Sequence, residues 1–299
     1  PLEDRSDAGF PSGLTMFSFP SSIEVQTESR PPVFFSFVQT SETGAHMLGC
    51  CLIIHEHATP KQRQCLISLA SDLQDEEEAK KLQTCKLLIP RCLCLVSRLP
   101  FVSSFKKFLC NLYRISLSQS PIPIERYICN FLDDVPAPPP GRVEISVYIG
   151  DHPVTFRCPP ANQPNVWTSL PMHPFFECLS VANILTLFSS IIAERQIVFI
   201  SSQYSLLTYA AEVMTSLMYP LTWTHVYIPI LPRRLIGVLQ APLPFIVGIH
   251  SSFLKSDDAA YLIADESVRV YLDENRIEVG SLGQPSALPD RPRRKLVNV

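Results

Sequence analysis

The stretch ERQIVFISSQYSLLTYAAEVMTSLMYPLTWTHVYIPILPRRLIGVLQAPLPFIVGIHSS, residues 194–252, decides the fold. It contains three short runs rich in Val, Ile and Phe, at Ile197–Ile200, Val226–Leu231 and Phe245–Ile249. A helix-length segment, Ser205–Tyr219, separates the first two runs, and a shorter one, Arg233–Gln240, separates the last two. Strands that are apolar on both faces are typical of a parallel sheet covered by helices. The alternation of strand and helix therefore predicts consecutive βαβ units.

The upstream part of the chain is patterned differently and predicts a small antiparallel sheet with helices. Its apolar runs and turn residues indicate strands at Thr15–Pro20, Pro32–Gln39, Ala45–Ile54 and Arg91–Arg98, with a hairpin turn at Ser41–Gly44. Phe101–Leu117 has an apolar stripe at helical spacing, and Ile124–Leu132 reads as a second helix that begins after Pro123. The charged segment Glu56–Lys81 is interpreted as a solvated loop or insertion.

The clearest boundary is DDVPAPPPG, residues 133–141, because a proline-rich run acts as a semi-rigid spacer. We predict an upstream module at 1–135, a linker at 136–142, a central α/β module at 143–280, and a further linker with the start of a truncated downstream segment at 281–299. The remaining central elements are predicted to be a strand pair, a buried helix and two closing strands, at Arg142–Ile149 with Pro153–Arg157, Phe175–Ala193, Tyr261–Ala264 and Val268–Leu272.

Composition excludes several classes of function. A net charge of −3 provides no basic face for nucleic acid, and 46% hydrophobic residues suffice for a sizeable core. The ten cysteines form no CxxC pair and are expected to be reduced core thiols of a cytosolic protein. Two uncharged runs, 213–232 and 235–254, contain prolines and are not expected to span a membrane.

No motif for covalent chemistry or cofactor binding is present. The chain lacks GxxxxGK[ST], GxGxxG, HExxH and GxSxG, and no carboxylates pair as an acid/base couple. His55 and His57 would share a strand face, but no further ligand cluster lies near them in sequence, so no metal site is predicted. We expect neither a cofactor nor a covalent enzyme.

The deciding stretch also resembles the central segment of a DENN domain. The resemblance lies in the order of ERQIVFISS, YPLTWTHVYIPILP and APLPFIVGIHSS, and it extends upstream to PPVFFSFVQTSETGAHMLGCCLII, RCLCLVSRLPFVSSFKKFLCNLYRIS and the proline-rich linker. It implies a longin-like module followed by a mainly parallel α/β module. It also implies a guanine-nucleotide exchange factor (GEF) that clasps a Rab GTPase between the two modules. Such a protein acts in vesicle trafficking and is cytoplasmic, with recruitment to vesicle or endosomal membranes through parts outside this chain.

An exchange factor needs an apolar and aromatic surface with a few polar anchors. Ligand sites in α/β sheets favour the carboxyl ends of strands, so we place the GTPase-binding candidates there and in the upstream sheet. These candidates are Ser36, Phe37, Arg91, Ser201, Ser202, Gln203, Trp223, His225 and Tyr227. For Trp223, Tyr227 and Phe37 a role in the core is the competing interpretation, and for Ser201 and Ser202 it is a helix cap.

Two other functions stay open at the level of sequence. The first is a GTPase-activating protein (GAP), because some divergent DENN-like proteins present a catalytic arginine from the upstream module to stabilise charge on the phosphates. Arg63 and Arg91 lie in the matching module, but nothing in the sequence marks either as such an arginine. A scaffold that binds a GTPase without changing its nucleotide cycle is the other alternative. The sequence does not identify which Rab is bound.

Overall fold

The structure is a computed structural model that describes residues 13–21, 25–28, 30–40, 46–72, 82, 85–118, 121–158, 172–255, 261–285 and 289. The α-helices in these ranges are α1 (Leu14–Ser18), α2 (Pro60–Asp72), α3 (Val102–Leu117), α4 (Ile124–Asp134), α5 (His173–Cys178), α6 (Val181–Ile192), α7 (Tyr204–Leu217) and α8 (Ser252–Lys255). The strands are β1 (Val33–Thr40), β2 (His46–His57), β3 (Leu88–Ser97), β4 (Glu144–Ile149), β5 (His152–Arg157), β6 (Ile197–Ser201), β7 (Val226–Ile228), β8 (Phe245–His250), β9 (Val268–Tyr271) and β10 (Arg276–Glu278). Arg233–Gln240 and Leu272–Glu274 are 3₁₀ helices.

The N-terminal sheet is antiparallel, with strand order β1-β2-β3. Ser36 lies opposite Cys50, and Cys51 lies opposite Cys94. The predicted hairpin pairing of β1 with β2 is confirmed. The turn predicted at Ser41–Gly44, between these two strands, lies outside the described residues. Helix α3 covers the sheet because its apolar stripe faces inward, burying Phe105, Phe108, Leu109 and Leu112. The upstream module therefore has the predicted longin-like architecture.

The second large sheet has the strand order β10-β9-β6-β8-β7. Strands β9, β6, β8 and β7 are parallel, and only β10 pairs antiparallel, with β9. Every residue of β6 is buried, which is why this strand reads as a continuous apolar run. The predicted parallel α/β module is confirmed, and β8 lies between β6 and β7 although it follows both in sequence.

The two sheets share helix α7, which packs against β1 on one side and against β6 and β8 on the other. Leu207, Ala211 and Met214 are fully buried in it. The Thr208 hydroxyl donates a hydrogen bond to the carbonyl oxygen of Ser36, directly joining α7 to β1. Because the helix has apolar residues on the sides that face both sheets, it is covered from both, and one hydrophobic core runs through both modules.

Helix α1 corrects the predicted strand at Thr15–Pro20. Its Ser18 hydroxyl donates to the Leu14 carbonyl at 3.0 Å, and Phe17 stacks on Phe37 with ring centroids 5.2 Å apart. A run of alternating apolar residues this short fits one face of a helical turn as well as a strand. The packing of Phe17 on the sheet selects the helix.

Helix α2 corrects the first part of the loop predicted for Glu56–Lys81, whereas residues 73–81 lie outside the described residues. Strand β2 continues to His57, and the helix then begins with Pro60 at its first position, where the missing N–H costs nothing. Thr59 and Gln62 form a reciprocal capping box, since the Thr59 N–H donates to Gln62 Oε1 at 3.0 Å and the Gln62 N–H donates to Thr59 Oγ1 at 3.4 Å. This Thr-x-x-Gln signal was present in the sequence.

Two predictions in the central module are also wrong. The predicted single helix Phe175–Ala193 is two helices, α5 and α6, because the Ser180 side chain caps α6 by accepting the Asn183 N–H. Tyr261–Ala264 forms turns instead of a strand, although Val268–Tyr271 is a strand as predicted. The sequence analysis also missed strand β10.

Candidate functional site

A cleft of about 480 Å³ lies where the two modules meet. One wall comes from the N-terminal sheet and the loop that follows β3. The other comes from α7 and the segment that leads into β7. The lining residues from the first wall are Val38, His46, Leu48, Arg98, Leu99, Pro100 and Val102, and those from the second are Thr208, Glu212, Thr215, Ser216, Leu221, Thr222, Trp223 and Tyr227. The cleft thus combines apolar side chains with a comparable number of polar ones, and most of the polar ones lie on the second wall.

Helix α7 presents its polar residues to this cleft. Thr208, Glu212, Thr215 and Ser216 are four and three residues apart, so they lie on one face of the helix. The opposite positions are the buried apolar ones that hold the helix between the sheets. The same helix therefore joins the modules and supplies the polar floor of the groove.

Glu212 and Tyr227 are hydrogen-bonded at the base of the cleft. The Tyr227 hydroxyl donates to Glu212 Oε1 at 2.7 Å. Burial raises the pKa of Glu212, and the hydrogen bond from Tyr227 opposes that rise only in part. Burial, together with the neighbouring carboxylate, also raises the pKa of Tyr227. Tyr227 thus remains a neutral donor, and Glu212 is an acid whose negative charge is poorly solvated.

Trp223 lines the cleft, whereas His225 lies beside it. The Trp223 indole N–H donates to the Val226 carbonyl at 3.1 Å, which fixes the ring, and His225 packs edge-on against that ring with centroids 5.2 Å apart. His225 Nε2 lies 3.4 Å from Glu194 Oε1. Of the candidates proposed from sequence, only Trp223 and Tyr227 line the cleft.

Ser201, Ser202 and Gln203 belong to a second cluster, at the carboxyl ends of β6, β8 and β9. The Ser201 hydroxyl donates to Asp273 Oδ1 and the Ser202 N–H donates to Asp273 Oδ2, both at 2.7 Å. His250 Nε2 donates to the Ser202 carbonyl at 2.9 Å. The polar groups of this cluster hydrogen-bond to one another and tie the three strand ends together. Ser201 is fully buried, while Ser202 and Gln203 remain exposed.

We expect Asp273→Asn to reduce the free energy of unfolding by about 1–2 kcal/mol at neutral pH, because one of its two hydrogen bonds is lost. Burial by itself would raise the pKa of Asp273, but the hydrogen bonds from Ser201 and Ser202 dominate and hold it below the ordinary carboxyl value. A carboxyl whose pKa is lowered on folding stabilises the protein above its unfolded pKa, and this stabilisation is lost as the pH falls through its folded pKa. The difference between wild type and variant should therefore shrink as the medium becomes acidic.

Urea unfolding of both proteins from neutral pH to about pH 3 measures this difference, since the unfolded carboxyl titrates near 3.9. Asp265→Asn is the control, because that side chain is 95% exposed and its substitution should change stability by less than about 0.5 kcal/mol. A pH-independent difference for Asp273→Asn would contradict the assigned role of the carboxylate.

The candidates from the upstream module occupy two environments. Ser36 and Phe37 are almost fully buried in β1, and the Phe37 ring lies so close to Gly49 that a Cβ added there would come within 2.1 Å of it. Arg91 is exposed and pairs with Glu56 on the adjacent strand at 3.0 Å. The side chains of Ser36, Phe37 and Ser201 are therefore packed inside the protein, and a partner would have no direct access to them.

Sequence reasoning missed Glu212, Arg98 and Leu221 as residues of the cleft. Glu212 did carry a signal, because it is the only charged residue in the fourteen-residue helix α7. No sequence signal identified Arg98 and Leu99, because they are more than a hundred positions away from the residues of α7 that line the same cleft. Among the described residues, no group of three or more His, Cys, Asp or Glu side chains could hold a metal ion, and no helix combines the length and hydropathy needed to cross a membrane.

Comparison with known proteins agrees with this architecture. Residues 1–54 match the uDENN domain, and residues 88–275 match the DENN (AEX-3) domain. The chain is similar to DENN domain-containing protein C297.05 of Schizosaccharomyces pombe, with 25% identity over 385 aligned positions that cover 99% of this chain and 39% of the relative. It is also similar to Elicitor of plant defense protein 1 of Fusarium odoratissimum, with 35% identity over 177 positions that cover 59% of this chain and 18% of that relative.

The chain thus spans well under half of either relative. The DENN (AEX-3) match covers the last strand of the N-terminal sheet and all four parallel strands of the second sheet. Both walls of the cleft fall largely within that match, and the uDENN match adds β1 and most of β2. The protein is therefore a member of the DENN domain family, whose members generally act on Rab GTPases.

Proposed function

We propose that this protein promotes release of GDP from a Rab-family GTPase that binds across the cleft between the two modules. The observation that carries the proposal is the composition of this surface. It combines apolar side chains from both modules with several polar groups, and its lining residue Leu221 is exposed, as are Leu217 and Tyr219, which shortly precede it in the chain. Exposed apolar residues grouped beside a groove are typical of protein-binding sites.

Such a function requires no covalent chemistry. An exchange factor binds the nucleotide-free GTPase more tightly than the nucleotide-bound form, and by linkage it lowers the affinity of the GTPase for nucleotide to the same extent. A thousandfold decrease corresponds to about 4 kcal/mol of differential binding. A groove that receives the switch regions of the GTPase can supply this energy through apolar burial and a few hydrogen bonds.

The first experiment is release of a fluorescent GDP analogue from a panel of purified Rab GTPases, in excess unlabelled GTP, with and without this chain. We expect substoichiometric protein to accelerate release from one or a few members of the panel. Absence of acceleration across the panel would overturn the exchange proposal. Recruitment to a trafficking membrane through parts outside this chain belongs to the same proposal. The exchange assay can be repeated with the responsive Rab attached to liposomes to examine exchange at a membrane.

A GAP is the second candidate, and one observation favours it. Arg98 is exposed within the cleft, and no ion pair of Arg98 is found in the described part of the chain. Arg63 instead donates to the carbonyls of Leu82 and Cys85, and Arg91 pairs with Glu56, so neither of the arginines identified from sequence is equally available. An arginine that reaches the γ-phosphate would accelerate hydrolysis.

Single-turnover GTP hydrolysis by the same Rab panel separates the two activities. A GAP would accelerate hydrolysis and lose this effect in Arg98→Ala, whereas an exchange factor would leave the rate of hydrolysis unchanged. A scaffold would bind a GTPase without changing either rate.

A further inference from the structure

The most unusual group in the cleft is the carboxylate of Glu212. It projects from α7 at the junction of the modules and retains some contact with solvent through the groove, while protein atoms crowd its carboxyl group. The Glu212 carboxylate accepts a hydrogen bond from the Tyr227 hydroxyl, which is an uncharged donor. No Lys, Arg or His of the described residues lies within ion-pair distance of Glu212. When protein atoms displace water from a carboxyl group and no cation lies beside it, the charged form of that group is destabilised.

The other ionisable groups around this carboxylate leave it unneutralised. From the elements packed against it, the cleft receives His46 at the start of β2, Arg98 after β3 and Tyr227 in β7. His46 packs edge-on against the Tyr227 ring, with centroids 6.1 Å apart, and it hydrogen-bonds with Thr40. Arg98 lines the same groove without forming an ion pair with Glu212. The negative charge of Glu212 is therefore free to meet a cation from outside.

The shape of the cleft indicates which kind of cation fits. Leu48, Val102 and Trp223 provide apolar walls on the way to the carboxylate. A Lys or Arg side chain has an aliphatic stem that packs on such walls and a charged tip that pairs with an acid. A divalent metal ion would need several oxygen ligands, and no suitable group of side chains is found among the described residues. A basic side chain of a protein partner matches both features.

We propose that Glu212 receives a lysine or arginine side chain of the GTPase bound in the cleft, and that this ion pair helps to select which GTPase is bound. The inference rests on the exchange function proposed above. Tyr227 acts as a positioning residue, because its hydroxyl holds the carboxylate and favours its charged form. An acid kept poorly solvated in the free protein stabilises the complex once the cation arrives.

The test uses the GTPase that the wild-type chain accelerates, with Glu212→Gln as the main variant. We expect its kcat/KM for GDP release to fall about 10–100-fold, less than for a fully buried charge pair because Glu212 retains some contact with solvent. The melting temperature should stay the same or rise, because the variant removes an unneutralised charge from the free protein. Glu144→Gln is the matched control, since Glu144 is exposed on β4 and outside the cleft.

The pH dependence provides a second readout. Wild-type affinity for the nucleotide-free GTPase should increase with pH as Glu212 ionises, and this component should vanish in Glu212→Gln. In Tyr227→Phe the hydrogen bond that favours the charged form of Glu212 is absent. The increase in affinity should therefore occur at higher pH, and the affinity should reach the wild-type value in alkaline buffer. A merely structural role of Tyr227 would lower affinity equally at every pH.

A double-mutant cycle identifies the cation. Each Lys and Arg on the binding face of the GTPase is replaced by Ala and assayed against wild type and Glu212→Gln, and one of them should be strongly non-additive with Glu212→Gln. If the wild-type chain accelerates release but Glu212→Gln equals it, or if every pair is additive, the Glu212 inference alone is overturned. If the wild-type chain neither accelerates release nor binds any member of the panel, the proposed function is overturned together with the inference.

Discussion

Gly248→Ala is expected to destabilise the central module strongly. Gly248 lies in β8, between β6 and β7, where a Cβ would come within 2.0 Å of the Pro229 carbonyl oxygen and 3.1 Å of the Leu207 Cβ. Neither neighbour can yield easily, because one is backbone after β7 and the other is fully buried in α7. The Gly248 carbonyl also accepts the Leu231 N–H at 2.7 Å, which fixes the close approach. We expect a loss of at least about 4 kcal/mol in the free energy of unfolding.

Thermal and urea unfolding measure this loss, with Gly237→Ala as the matched control. Gly237 lies in the 3₁₀ helix Arg233–Gln240, and a Cβ added there meets no atom within 4 Å. The same chemical change should therefore have little effect or increase stability slightly. Equal stability of the two variants would show that β7 and α7 can separate without cost, contrary to the packing described.

Leu221→Glu is expected to give the largest loss of function in a protein that still folds. Leu221 is 56% exposed and lines the cleft between the modules, so a charge there barely affects the free protein. In the complex, the carboxylate would be buried against apolar groups of the GTPase without a partner, at a cost of about 2–4 kcal/mol. We expect kcat/KM for GDP release to fall by about 30-fold or more, since each 1.4 kcal/mol is tenfold.

Leu132→Glu is the control for this variant. Leu132 lies on α4, is 61% exposed and does not line the cleft, so the same substitution should leave exchange unchanged. Both variants should have near-wild-type melting temperatures. Full exchange by Leu221→Glu would place the GTPase elsewhere on the protein, and the exposed cluster of Ser202 and Gln203 would be the next surface to vary.

Local periodicity was sufficient to predict the strands of both large sheets except β10, and the helix α3. β6 and β8 are apolar on both faces and could be recognised as buried strands, and the stripe of α3 gave its buried face. Errors arose where a short run was compatible with two structures. Leu14–Ser18 became a helix because Phe17 packs on Phe37, and Ser180 interrupts a continuous apolar segment because its side chain and backbone are held by Asn183 and Asn275.

The candidate site was predictable only in part. Trp223 and Tyr227 were chosen from the stretch that resembles a DENN domain, and both line the cleft. Ser36, Phe37 and Ser201 were chosen by the same reasoning but are buried, because residues at strand ends are as often part of the core as of the surface. A pattern along one chain specifies which side chains are apolar or polar. It does not specify which of them meet across two modules.

The amino-acid sequence by itself determined most of the strands, the fold class with an antiparallel sheet followed by a mainly parallel one, and the family, because these follow from local periodicity and from motifs that are contiguous in the chain. Tertiary structure alone decided the cleft. Helix α7 is packed between β1 and the parallel sheet and so joins them. Its polar face lines the cleft, together with Arg98 and Trp223. Only this packing crowds the carboxylate of Glu212 without bringing a cation from the described residues to it, since burial and ion pairing depend on residues that are distant in sequence and adjacent in space.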